Sequence, residues 1–120
     1  MKTITDQDAL RSFAALAQDT RLALYRCLVE AGSHGLSAGA LAEALDVPAP
    51  TLSFHLAQLR GAGLITQQRS SRSLIYAVDV DHMNAVIAFL SDRCCGGQPE
   101  LCLPKSTRTT TDARPRRKSV

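Results

Sequence analysis

At 120 residues the chain is long enough for one domain with a real core and too short for two of ordinary size. Apolar residues make up 45% of it, aromatic residues 4%, and Trp is absent, which excludes disorder of the whole chain and suits a helix-rich interior of Leu, Ala, Ile and Val. The net charge of +3 comes from the end of the chain: beyond Leu103 six basic residues (Lys105, Arg108, Arg114, Arg116, Arg117, Lys118) stand against Asp112 alone, so the body is mildly acidic and overall charge is no argument for a polyanionic partner.

That last stretch is rich in Thr, Arg and Pro, lacks apolar periodicity, and reads as a disordered basic tail. Met1 to Thr5 is polar, and no apolar run has the length of a signal-peptide core or a membrane span, so a soluble cytoplasmic protein with no membrane partner is expected. In that reducing compartment four cysteines read as metal ligands, redox sensors or buried thiols rather than as a disulfide framework.

Thr5 suits the cap of a first helix in which Leu10, Phe13, Ala14 and Ala17 recur at helical spacing. Asp19 is expected to cap a second, with Leu22, Leu24, Leu28 and Val29 apolar, ended by Ala31 and Gly32; residues 32–35 follow as a loop. Ser37 starts a short third helix, Ala38 to Leu45, which Asp46-Val47-Pro48 breaks before a fourth from about Pro50 to Gly61. Two short helices joined by a tight turn are a helix-turn-helix signature. After Gly63 the period becomes that of strands: Leu64 to Gln68, a polar turn Arg69 to Arg72, then Ser73 to Val78, a hairpin or wing. Asp79 or Asp81 caps a fifth helix to about Arg93, where Met83, Val86, Ile87 and Leu90 form one apolar stripe and Ala85 and Phe89 begin a second. One stripe suits the chain's own core and the other a second copy, so the expected architecture is mainly α with a β-hairpin, a homodimeric winged helix-turn-helix. Residues 1–95 form its DNA-binding and dimerisation domain and residues 96–120 a cysteine-containing segment and tail.

With Leu52, Leu56 and Leu59 inward, the fourth helix turns Pro50, Thr51, Phe54, Ala57 and Gln58 outward and leaves Ser53 and His55 on its flanks. Gln58 suits the paired donor and acceptor edge of adenine, the hydroxyls of Thr51 and Ser53 suit phosphates, and His55 is a further candidate contact, though better suited to a cap or hydrogen bond than to metal ligation. Arg60 and the wing arginines Arg69 and Arg72 extend the footprint. Taken singly, each feature belongs to any solvated helix or hairpin; their order points to double-stranded DNA.

Leu16-Ala17-Gln18-Asp19-Thr20-Arg21-Leu22, Leu52 to Leu59 (LSFHLAQL) and Gly63-Leu64-Ile65 resemble the ArsR/SmtB family of metalloregulatory repressors over roughly residues 5 to 92. The resemblance implies a dimer that sits on a palindromic operator and is released when a metal or metalloid binds. One family site is a Cys-x-Cys segment on the helix before the recognition helix; here Ala38 to Glu43 contains no Cys. Another is a zinc site along the last helix; Asp79, Asp81 and His82 offer only its beginning.

Cys94, Cys95 and Cys102 remain, three thiols within nine residues, with Gly96 and Gly97 allowing the chain to reverse. Thiolates prefer soft ions, and As(III) takes three sulfurs in a pyramid where structural zinc takes four tetrahedral ligands. As(III) or Sb(III) is therefore the expected inducer, and the resemblance extends to arsenic repressors with C-terminal vicinal cysteines. A zinc, cadmium or thiol-redox response of the same fold stays open. Cys27, among Leu24, Leu28 and Val29, reads as a buried inert thiol. No nucleophile loop, general base or phosphate cradle accompanies the thiols, so neither an enzyme nor an organic cofactor is expected.

Overall fold

A computed structural model describes the backbone of residues 2–97, with the side chains of all of these except Cys94 and Cys95. Two units divide it, one ending at Phe89 and one beginning at Leu90. The expected basic tail and Cys102 lie outside the described residues.

Helix α1 (Asp6–Leu16) starts at Thr5 with a reciprocal capping box: the Asp8 amide donates to Thr5 Oγ1, and the Thr5 amide to Asp8 Oδ2. Helix α2 (Asp19–Ala31) is capped by Gln18, not by Asp19: the Gln18 side-chain oxygen accepts the Arg21 amide at 2.8 Å, and Asp19 is the first helical residue, where its charge complements the helix dipole. What reads as a loop after Gly32 is a 3-10 turn (Gly32–His34) and a two-residue strand, β1 (Leu36–Ser37). Helix α3 (Ala38–Leu45) is capped by Ser37 as expected, and Asp46 ends it in the left-handed conformation. Helix α4 (Ala49–Gly61) follows after the three-residue turn Asp46–Pro48, with Pro50 inside its first turn.

Strands β2 (Ile65–Ser70) and β3 (Ser73–Val78) form the wing, and β1 adds to the far side of β3, giving an antiparallel sheet in the order β1-β3-β2. Ser70 pairs with Ser73, so the turn is only Ser71-Arg72, and Arg69 lies in β2 rather than in the turn. Gly35 takes φ +69° because β1 runs against β3; a Cβ there would collide with the Tyr76 carbonyl. Helix α5 (Val80–Ser91) is capped by Asp79, whose carboxylate accepts the His82 amide at 3.0 Å. A single helical turn, α6 (Cys94–Gly97), follows.

The main core joins Leu24 and Leu28 of α2, Leu41 of α3, Leu52, Leu56 and Leu59 of α4, and Leu64, Ile65 and Tyr76 of the wing. Leu24, Leu28, Leu41, Leu52 and Leu59 are fully buried, and truncating any one to Ala removes roughly 2–5 kcal/mol. A smaller cluster of Ile4, Ala9, Ala85 and Val86 joins the N-terminal segment to α1 and α5.

Here the apolar stripes differ from the sequence expectation. Helix α1 buries Ala9 and Ser12 while Leu10 is 57% exposed, and α5 buries His82, Ala85 and Val86 while Ile87 is 53% exposed. The reason is a polar node that periodicity does not register. His82 Nδ1 lies 2.8 Å from Lys2 Nζ, and its Nε2 lies 2.8 Å from Ser12 Oγ. An ammonium only donates, so Nδ1 accepts and Nε2 carries the proton; Ser12 Oγ accepts that proton and donates its own to the Asp8 carbonyl at 3.0 Å. Every group in the node is satisfied, which lets a serine and a histidine replace apolar residues at the α1–α5 contact. The ring also lies against Gly63 (φ +82°), where a Cβ would come within 3.1 Å of it.

Burial first, then the Lys2 ammonium, hold the His82 pKa below the ordinary histidine value despite opposition from Asp79 and Asp8. Burial and Arg21 lower that of His55. Unfolded histidines take up protons near pH 6.5 and these two only at lower pH, so their contribution is complete above about pH 6.5 and is lost as pH falls through the lowered folded values. Equilibrium urea unfolding between about pH 7.5 and pH 5 is expected to show stability falling with acidification. In His82→Gln, whose amide can serve Lys2 and Ser12 without titrating, the fall should be shallower; an unchanged slope would refute the role of the node.

Candidate nucleic-acid interface

The three buried leucines of α4 set its rotation, and the structure turns out the residues expected, Pro50, Thr51, Phe54, Ala57 and Gln58, all of them exposed, with Ser53 of the flank exposed beside them. Pro48 caps α4 without a side-chain hydrogen bond and Pro50 has no N–H, so the amides of Ala49 and Thr51 stand at an uncapped helix start beside the Thr51 hydroxyl. Such an end attracts phosphate oxygens. Gln58 lies two turns further along the same surface. Arg60 is exposed in the last turn, and Arg69 and Arg72 are exposed on the wing.

His55 is the exception. It is 8% exposed and its Nδ1 lies 3.2 Å from Arg21 Nη1, so the ring faces the interior and is corrected from a DNA contact to a structural hydrogen-bonding residue. A guanidinium only donates, which fixes Nδ1 as acceptor and places the ring proton on Nε2. The lowered pKa keeps that arrangement neutral. Its neighbour Phe54 packs against the ring edge to face, with centroids 5.4 Å apart and planes at 65°. Phe54 is 56% exposed on the outer face of α4, an apolar group suited to a thymine methyl. Its outward position follows from the helical period; its support by His55 does not.

Arg21, unremarked in the sequence beyond its family resemblance, organises the same region. Its Nε donates to the Ala15 carbonyl at 2.7 Å, satisfying the end of α1, while Nη1 reaches His55 on α4. One planar fork therefore ties α1, α2 and α4 together.

The possible zinc site does not assemble: both ring nitrogens of His82 are taken, and among the described residues no group of three or more His, Cys, Asp or Glu is placed to hold a metal ion. Cys27 is half-buried against the main core, less enclosed than expected. Cys94 and Cys95 fall on the single turn α6, followed by Gly96 and Gly97 at φ +67° and +97°. No helix among the described residues is long and apolar enough to cross a membrane.

A family model described as a helix-turn-helix domain matches residues 16–68. The chain is 35% identical over 89 residues, 74% of its length and 88% of the relative's, to the HTH-type transcriptional regulator YgaV of Escherichia coli K12. Among solved structures it is similar to an ArsR family transcriptional regulator, with 25% identity, TM-score 0.63, and 77% and 92% of the two chains covered. The chain belongs to the ArsR/SmtB family of transcriptional regulators. The fold is also that of a homodimeric winged helix-turn-helix DNA-binding domain from Mycobacterium bovis, with 24% identity, TM-score 0.58 and coverage of 78% and 92%. The relatives are regulators rather than enzymes.

In this regulator Lys at position 21 offers a point charge that cannot reach the Ala15 carbonyl and His55 together. Arg21→Lys is expected to cost about 1–2 kcal/mol in urea unfolding, and an unchanged midpoint would show that the three-helix tie carries no stability.

Proposed function

We propose that the chain is a dimeric repressor that binds palindromic operator DNA through α4 and the wing and releases it when arsenite or antimonite is held by Cys94, Cys95 and Cys102. The observation that carries the inducer assignment is the donor set: three thiols within nine residues, two of them adjacent on the turn α6 and followed by two glycines with positive φ. Three sulfurs without a fourth strong ligand suit a pyramidal As(III) or Sb(III) centre better than tetrahedral zinc. The metalloid supplies three soft bonds that close the segment between Cys94 and Cys102.

Dimerisation is supported by exposed apolar residues on both helices of the smaller cluster, Leu10 on α1 and Val80, Ile87 and Phe89 on α5. Covering them with a second copy buries surface that would otherwise face water and places two α4 helices for successive major grooves. Because α5 carries this apolar face and leads toward the cysteines, restraint of its end changes the separation of the reading heads. A coupling of roughly 1–3 kcal/mol is typical for such a linkage.

Fluorescence anisotropy on palindromic operator DNA under reducing conditions tests the proposal, with arsenite, antimonite, zinc and cadmium added separately. Arsenite should release wild type and fail to release Cys94→Ser, Cys95→Ser and Cys102→Ser, each of which still binds DNA. Release by zinc or cadmium alone would keep the repressor and change its ion, while release only on oxidation would replace the ion site by a thiol switch.

A further inference from the structure

Between the end of α1, the start of α2 and the last two turns of α4 lies an open depression of about 410 Å³, lined by Arg11, Ala14, Ala15, Arg21, Ala57, Gln58, Gly61 and Ala62. Its charge is of one sign: two guanidinium groups and no carboxylate line it. Arg21 is held rigidly by Ala15 and His55, and these two bonds use its Nε and Nη1, so that Nη2 is left for another partner. Arg11 makes only a solvent-exposed pair with Asp8 at 3.3 Å, its side chain 65% exposed, an interaction worth little and readily exchanged. Apart from the two arginines and Gln58 the lining is Ala and Gly, so a ligand's backbone can approach the arginines closely. A Cβ added at Gly61 would meet nothing within 4 Å, because that position opens into free space.

The depression is continuous with the outer face of α4, since Ala57 and Gln58 belong to both. We infer that it seats a phosphodiester of the operator strand, with Arg11 and Arg21 as the phosphate ligands that hold α4 at its depth in the groove. This inference rests on α4 being the DNA-reading helix. A phosphate seated there is recognised by charge and shape, so it adds affinity on any duplex and leaves base preference to residues such as Gln58. The two guanidinium groups supply charge-assisted donors, Arg21 through its Nη2, and the small Ala and Gly residues admit the sugar-phosphate chain.

The test is anisotropy titration of wild type, Arg11→Gln, Gly61→Glu and Gly61→Ala on two labelled duplexes, one from the region upstream of the chain's own gene and one of shuffled sequence, across a range of salt. Gly61→Glu places a carboxylate in the depression at a helical position with room for it, and Gly61→Ala controls for the backbone. Arg11→Gln and Gly61→Glu should weaken binding to both duplexes by roughly tenfold and make the slope of log affinity against log salt shallower by about 2 per dimer. Gly61→Ala, which adds no charge, should keep the wild-type salt slope. Unchanged affinity and slope in both Arg11→Gln and Gly61→Glu, while Gln58→Ala loses preference for the upstream duplex, would overturn the seat and leave α4 as the reading helix. Wild type that binds neither duplex would overturn both. Weaker binding that sedimentation traces to a weaker dimer would assign the depression to a second copy of the chain and overturn the proposal.

Discussion

The guanidinium of Arg21 sits where three helices meet, donating at 2.7 Å to the Ala15 carbonyl near the end of α1 and lying 3.2 Å from His55 on α4. Helix ends leave carbonyls without partners, and a buried histidine edge needs a donor; a planar fork meets both needs at once. The leucines of α4 determine which face of that helix turns outward, but they tolerate sliding along their own apolar surface. The polar tie is directional and selects one position. His55 transmits the choice to the surface, since its ring supports Phe54 from below.

A second polar node does similar work about one turn earlier on α1, at Ser12. His82 connects Lys2, Ser12 and, through its ring, Gly63, the residue that leads into the wing. The node explains why α1 and α5 meet along Ala9, Ser12, His82 and Ala85 rather than along their larger side chains. Small and hydrogen-bonded residues bring the helices close, and the displaced Leu10 and Ile87 become surface. Core economy within one chain is thus given up, and the surface so exposed is the kind that an obligate dimer covers.

These two nodes tie α4, through Arg21, and α5, through His82, to the same helix α1. In the proposed repressor, restraint applied along α5 is felt at its first turn, where His82 touches the turn before β2. Neither node includes Cys94, Cys95 or Cys102, so the thiols of the proposed inducer site can be chosen for ion chemistry without disturbing these bonds.

Much of this was legible from the chain alone. Thr5 and Ser37 are polar caps before apolar-periodic runs, Pro48 and Pro50 mark where one helix stops and the next begins, and a switch from period 3.6 to period 2 after Gly63 announces the wing; all are local effects of backbone sterics and hydrogen bonding. The outward set on α4 follows equally from the spacing of Leu52, Leu56 and Leu59. Tertiary structure decided what depends on partners distant in sequence: that β1 pairs with β3, that His55 turns inward to Arg21, and that Ser12 and His82 are buried while Leu10 and Ile87 are not. Periodicity scores residues by hydrophobicity, whereas a buried polar side chain is admitted only when a matching donor or acceptor arrives from elsewhere in the fold. The sequence therefore determined the elements and their order, and the three-dimensional hydrogen bonds decided which faces they turn toward one another.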